Sequence, residues 1–220
     1  MPIQNIFQLF EANRNDEAAI KMAAYMKNNF PFLGINSPLR KELQNGFLRE
    51  KKKSKTIDWV FIYECFEKNE REFQYLALDY LIALKKSVQK NDIEHIEKLI
   101  QIKSWWDSVD GLDQVVGALI LKFPEIKENY IKKWKKSDNI WLVRVAINFQ
   151  LEFKHQTDAG LLAEVILANA GSKEFFINKA AGWSLREYSK WNKDWVQNFI
   201  ETHKNILNRL TIREASKYLS

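Results

Sequence analysis

The stretch KSWWDSVD, residues 103 to 110, concentrates the chemistry of this sequence: two adjacent tryptophans and two carboxylates three positions apart. Trp106 and Asp110 stand four residues apart, a spacing that puts both on one helix face and sets an acid beside an electron-rich ring. A carboxylate there can stabilise a developing cation or orient a water, and a tryptophan face attracts the same positive charge. A second stretch, FINKAAGWSLREY, carries Lys179, Trp183 and Arg186 at i, i+4, i+7. That pattern suits a phosphate backbone on either side of a flat apolar group, and equally a core tryptophan flanked by solvated charges. Trp141 and Arg144, at i, i+3, repeat the arrangement one step earlier.

Structural roles compete with these readings. Ser104 followed by Asp107 has the spacing of a capping box, in which Asp107 satisfies free amides of the first turn. The same explanation fits Ser137-Asp138 before Ile140 and Ser172 before Glu174. Asp110 lies too deep in its helix to cap it. A buried carboxylate without a partner is costly, so Asp110 needs either a function or a structural partner such as an arginine. The sequence has no serine nucleophile elbow, phosphate-binding glycine loop, Cys-x-x-Cys or His-Glu-x-x-His. The single cysteine, Cys65, and three scattered histidines, His95, His155 and His203, offer neither an internal disulfide nor ligand spacing for zinc. Any catalysis must therefore rest on carboxylates and aromatic faces, with no metal and no cofactor expected.

The elements that position these residues read as helices. Among 220 residues there are seven Gly and four Pro, and apolar residues recur at helical spacing almost throughout. Ile3, Ile6, Phe7 and Phe10 make one amphipathic face. Asp16 is placed to cap a second helix through Ile20, Ala23 and Ala24 that ends near Phe30-Pro31. Ser37-Pro38 reads as a cap followed by proline in the first turn of a third, with Leu39, Leu43 and Phe47 on one side.

Beyond residue 55 the helices pair. Their second members align on Gln74, Val109, Arg144 and Lys179, 35 residues apart, and one step of 34 reaches Arg213. The expected architecture is all-α, a HEAT-like helical-repeat solenoid forming one domain over residues 1–220, with N-terminal helices in 1–55 and helix pairs in 56–220. In this alignment Trp106 corresponds to Trp141 and Phe176, and Asp110 to Val145 and Ala180. Trp59, Trp134 and Trp195 fall in the first-member helices, as core or rim residues. The composition is 46% hydrophobic and 28% charged, that of an ordinary globular protein. The first residues lack a positive patch followed by an apolar run, and no stretch is apolar enough to span a bilayer, so a cytoplasmic location is expected. A net charge of +6 favours a polyanionic partner.

Taken together, YMKNNFPFLGI (25–35), EREFQYLALDYL (70–81), KSWWDSVD, SDNIWLVR (137–144) and SKEFFINKAAGWSLREY (172–188) closely resemble the bacterial DNA alkylation repair glycosylases of the AlkD type, in order and spacing over nearly the whole chain. The resemblance implies an ARM-type superhelix that holds duplex DNA on a basic concave surface. It implies hydrolysis of the N-glycosidic bond of positively charged alkylated purines, of the 7-methylguanine and 3-methyladenine type, as the first step of base excision repair. In these terms Asp110 corresponds to the catalytic aspartate, and Trp106 and Trp183 to the aromatic pair that cradles the sugar. Arg144 corresponds to a DNA-contacting arginine beside the lesion, and Tyr25 belongs to a helix that approaches the minor groove. The stripes described above add Lys179, Arg186 and Trp141 as expected DNA contacts. The family leaves the damaged base in the stack, and some relatives have lost activity together with the minor-groove helix; residues 16 to 29 retain it here. The sequence ends at Ser220, before the family's usual C-terminal extension. A monomer acting on alkylated double-stranded DNA, away from membranes, is the resulting expectation. The alternatives are a non-catalytic DNA-binding paralogue recognising branched or damaged DNA, and a protein-binding helical repeat.

Overall fold

A computed structural model describes residues 3–219, with side chains from Asn5 onward, so Ile3 of the first apolar face lies outside the described side chains. Among the described residues there are thirteen α-helices and no strand. They fall into two compact units, Met1–Val88 and Gln89–Ser220. The boundary lies inside the series of helix pairs, not between the N-terminal helices and the pairs.

The first unit holds α1 (Ile3–Ala12), α2 (Asp16–Tyr25), α3 (Ser37–Lys51), α4 (Trp59–Glu67) and α5 (Arg71–Ala83). Its core is aromatic: Phe7 and Phe10 of α1 meet Phe73 of α5, and Phe47 of α3 meets Phe61 of α4, which in turn lies edge-on to Tyr80. The expected apolar face of α2 does not form. The helix buries no residue, Ile20 and Ala24 are exposed, and it ends at Tyr25, with Lys27 and Asn28 in left-handed backbone, rather than continuing to Phe30. What holds α2 is the loop that follows it. The buried Glu72 carboxylate accepts the amides of Leu33, Gly34 and Ile35 at 2.9 to 3.1 Å, and the Leu33 carbonyl accepts the Asn15 amide at 2.8 Å. Gly34, at φ +86°, passes so close to Asn15 and Ala19 that a side chain would collide with backbone.

The second unit holds α6 (Asp92–Gln101), α7 (Trp106–Lys122), α8 (Lys132–Trp134, after a π-helical turn at Lys127–Ile131), α9 (Ile140–Asn148), α10 (Ala159–Ala168), α11 (Phe175–Ser189), α12 (Lys193–His203) and α13 (Arg209–Ala215). The second members of the pairs, α5, α7, α9, α11 and α13, begin at residues 71, 106, 140, 175 and 209, steps of 34 or 35. Within this unit α7, α9, α11 and α13 pack in sequence, and α6, α8, α10 and α12 pack behind them. The central α9 is buried from Trp141 through Asn148, as a helix covered on all sides must be. Two glycines permit the closest approaches: a Cβ on Gly117 would lie 2.4 Å from the Phe149 carbonyl oxygen, and one on Gly182 would lie 2.5 Å from Glu214 Cβ. Trp134 is core, and its indole donates to Glu97 at 2.7 Å. Among the described residues no helix is long and apolar enough to cross a membrane.

The caps differ from those expected, each in the direction of asparagine. Asn15 caps α2 in place of Asp16, Asn36 caps α3 in place of Ser37, and Asn139 caps α9 in place of Ser137-Asp138. Asparagine tolerates the extended backbone of this position and presents its side-chain oxygen to the first free amides. The capping box at Ser104 does not form: Ser104 donates to the Ile100 carbonyl at 2.6 Å, closing the end of α6, and Trp105 is the N-terminal flanking residue of α7 without a side-chain cap. Ser172 accepts the Glu174 amide at 3.2 Å, one turn too early to cap α11 itself.

Candidate functional site

The site assembles at the starts of α7, α9 and α11. Lys103, at φ 48°, occupies the left-handed region that few non-glycine residues adopt, and Trp105 continues in extended backbone into α7. The Trp105 ring packs on Trp141 and Phe176 at 5.7 and 5.1 Å between centroids, and those two lie 4.9 Å apart. The 35-residue alignment paired Trp106 with Trp141 and Phe176, but the ring that meets them is that of Trp105. The preceding turn aims Trp105 into the aromatic cluster and leaves Trp106, half-buried, on the face of α7 that carries Asp110.

Asp110 is gripped from one repeat further on. Arg144 Nε donates to Oδ1 at 2.7 Å and a terminal nitrogen donates to Oδ2 at 2.8 Å, a two-pronged fit of planar guanidinium to carboxylate. The other terminal nitrogen donates to the Phe176 carbonyl at 2.7 Å. Arg144 is fully buried, whereas the Asp110 side chain keeps 24% of its surface exposed. The acid is therefore both fixed in direction and open on one side.

The Arg144 guanidinium also lies 5.5 Å from the Trp183 ring centroid, linking Asp110 to the second aromatic residue. Lys179 and Arg186 approach the same ring at 5.6 and 5.9 Å, so the aromatic between two cations expected from spacing is present with a third cation added. The arrangement is not repeated at Trp141 and Arg144: Trp141 turns into the aromatic cluster and Arg144 toward Asp110. Tyr25 lies in the first unit as the last residue of α2, with 73% of its surface exposed.

Three residues with a part in this region escaped the sequence reading. Glu214 of α13 is buried and pairs with Lys179 at 2.9 Å, Lys217 at 2.8 Å and Arg186 at 3.3 Å. The hydrogen bond from Lys217, followed by that from Lys179, holds its carboxyl at about 2 against the opposing effect of burial. Asp113, one turn after Asp110 on α7, is buried with no close hydrogen bond to either oxygen. Burial, and then the charge of Asp110, push its carboxyl well above the usual range. Asn148 of α9 faces it. A signal for all three was available: Asp110 and Arg144, Asp113 and Asn148, and Lys179 and Glu214 are each separated by one repeat, 34 or 35 residues.

Fold and site define an all-α helical-repeat protein that holds one half-exposed carboxylate beside a cation-lined tryptophan. The sequence profile of the DNA alkylation repair enzyme family matches residues 6–219. A solved structure described as a predicted DNA alkylation repair enzyme from Enterococcus faecalis is similar at 35% identity and a TM-score of 0.85, over 94% of this chain and 97% of that one. A search of curated proteins gives no match. The chain belongs to the DNA alkylation repair enzyme family.

Proposed function

We propose that this protein is a DNA glycosylase that hydrolyses the N-glycosidic bond of positively charged alkylated purines, of the 7-methylguanine and 3-methyladenine type, in duplex DNA. The observation that carries the reading is the Asp110 carboxylate, fixed by two hydrogen bonds from buried Arg144, exposed on its outer side, and joined through that arginine to Trp183.

Such a substrate needs little machinery. The electron pair of the breaking C–N bond flows into the cationic ring, so the base departs neutral and requires no proton donor. Ordinary glycoside hydrolysis, by contrast, uses two carboxyl groups. The sugar is left as an oxocarbenium ion, which Asp110 stabilises electrostatically while directing a water to C1′; one proton of that water is released as the new C–O bond forms. The faces of Trp106 and Trp183 favour the same cation, each by about 0.5 to 2 kcal/mol. Lys179 and Arg186 flank Trp183 and are proposed as phosphate contacts, and exposed Tyr25 as a minor-groove contact. Arg144 and Trp141, both buried, act from beneath the surface by holding Asp110 and the aromatic cluster in place.

The test compares wild type with Asp110→Asn on methylated duplex DNA, quantifying released 7-methylguanine and 3-methyladenine chromatographically and duplex binding in parallel. Release by the wild type alone, with binding retained by both, is the expected result. A folded wild type that binds the duplex and releases neither base would overturn the reading and leave a DNA-binding paralogue.

A further inference from the structure

Directly behind Asp110 is a group that the proposed mechanism does not use. Asp113 follows it by three residues on α7 and is 2% exposed. No close hydrogen bond reaches either of its oxygens or the Asn148 Nδ2 on the facing helix, and the two side chains interact only weakly with each other. Buried polar groups are almost always closely paired, so an acid held this loosely asks for an explanation. The surroundings are closed. α6 buries only Ile93, Ile96, Leu99 and Ile100. Gly117, one turn further along α7, brings that helix against the backbone of α9 at Phe149. Asn148 is held by Ser184 of α11, whose hydroxyl lies 3.1 Å from its Oδ1 and 3.0 Å from the Ile147 carbonyl. The charged groups acting on Asp113 are Asp110 of its own helix and Arg144 of α9.

An ionised carboxylate at this place would be a buried charge with no close partner, so burial favours the protonated form more than it does for an exposed acid. Burial and the neighbouring Asp110 charge both act in that direction, and Arg144 and Asn148 oppose them without prevailing. Arg144 acts on Asp113 through its charge alone, while its hydrogen bonds go to Asp110 and to the Phe176 carbonyl. Beside a neutral acid the guanidinium has one carboxylate to serve; beside a second carboxylate it has two.

We propose that Asp113 is a positioning residue for Asp110: as an uncharged acid it leaves the Arg144 fork wholly to Asp110, and on losing its proton it competes for that arginine and releases Asp110 from its fixed direction. The inference rests on the glycosylase reading for its effect on base release, but not for the arrangement of the three side chains.

The test is single-turnover release of 3-methyladenine from about pH 6 to about pH 9 by wild type and Asp113→Asn, which keeps the shape of the neutral acid and cannot ionise. Alongside it, the side-chain carboxyl carbons of Asp110 and Asp113 are titrated by NMR in wild type. Asp113→Asn is expected to match wild type within about threefold at the acidic end and to retain release at the alkaline end, where wild type declines. The NMR titration is expected to find Asp113 protonated at neutral pH, with the Asp110 signal moving as Asp113 ionises. Superimposed pH profiles, or a folded Asp113→Asn that loses more than about tenfold at the acidic end, would overturn the proposal. So would an Asp113 that is ionised at neutral pH, or an Asp110 signal indifferent to it. If wild type releases no base at any pH, the glycosylase reading fails, and the NMR titration still decides whether Asp113 governs Asp110.

Discussion

Asp113 and Glu214 are buried to nearly the same depth, 2% and 3% exposed, in the same four-helix layer, and their carboxyl groups shift in opposite directions. Beneath Asp110, between α7 and α9, Asp113 finds no close hydrogen bond, and Arg144 already serves another acid. Between α11 and α13, Glu214 gathers Lys179, Arg186 and Lys217, two of which it thereby holds against Trp183. Depth of burial sets the penalty for a charge; the number of donors within reach decides whether the charge survives. One region therefore favours a neutral acid under a carboxylate, and the other uses an anion to array cations around an aromatic ring.

The largest effect expected along this comparison comes from removing the arginine that the first region shares. Arg144→Met leaves Asp110 unpaired and the Phe176 carbonyl unsatisfied, and should lower stability in urea unfolding by about 3 to 5 kcal/mol. A loss below about 1 kcal/mol would place this pair among ordinary surface ion pairs and erase the contrast. Next is Glu214→Gln, which should cost about 2 kcal/mol at neutral pH. Because the folded carboxyl lies near 2, below its ordinary value of 4.5, its contribution is present above 4.5 and disappears as pH falls through about 2. Acid unfolding of the two proteins should therefore converge at the low end.

Gly182→Ala tests the packing that brings Glu214 to its cations. The added methyl would press on Glu214 Cβ and the Thr211 carbonyl, with an expected loss of about 2 kcal/mol in thermal unfolding. Gly46→Ala, where a side chain meets open space within α3, should instead gain about 0.5 to 1 kcal/mol. The effect that depends most on conditions is that of Asp113→Asn on stability near pH 5. A carboxyl raised on folding makes the protein lose stability as pH climbs above the unfolded value of about 4. The variant should accordingly match wild type below that pH and exceed it by about 1 kcal/mol near pH 5, with the gap widening upward. Parallel stability curves would mean that Asp113 is ionised in the folded protein.

Periodicity made the helix pairs legible because each pair must bury the same apolar stripe, and the steps of 34 and 35 residues follow from it. Boundaries were less legible. Asparagines stand one residue before the expected caps at Asp16 and Ser37 and one after Asp138, and the local pattern does not rank these neighbours. α2 departs from its pattern because Ile20, Ala23 and Ala24 follow helical spacing, yet of the three only Ala23 is even half-buried. At the site, spacing alone pairs Trp106 with Asp110 and sets Trp183 between Lys179 and Arg186; only the family resemblance places Asp110, Arg144 and Trp183 together. That Trp105 rather than Trp106 enters the aromatic cluster depends on the left-handed backbone at Lys103, which nothing in the residue type announces. Glu214 and Asp113 become visible only when the repeat length is used as a ruler between charges as well as between apolar residues.

The Glu72 cradle gives the first unit an uneven pattern of local opening. Three amides of the 33–35 loop are closed by one buried carboxylate, so their hydrogens can exchange with solvent only when that part of the core opens. The amides of α2 are protected by a single exposed turn-by-turn ladder and can exchange through fraying. The start of α2, tied to that loop where Asn15 donates to Leu33, should therefore stay closed longer than its exposed end at Tyr25, which should exchange first.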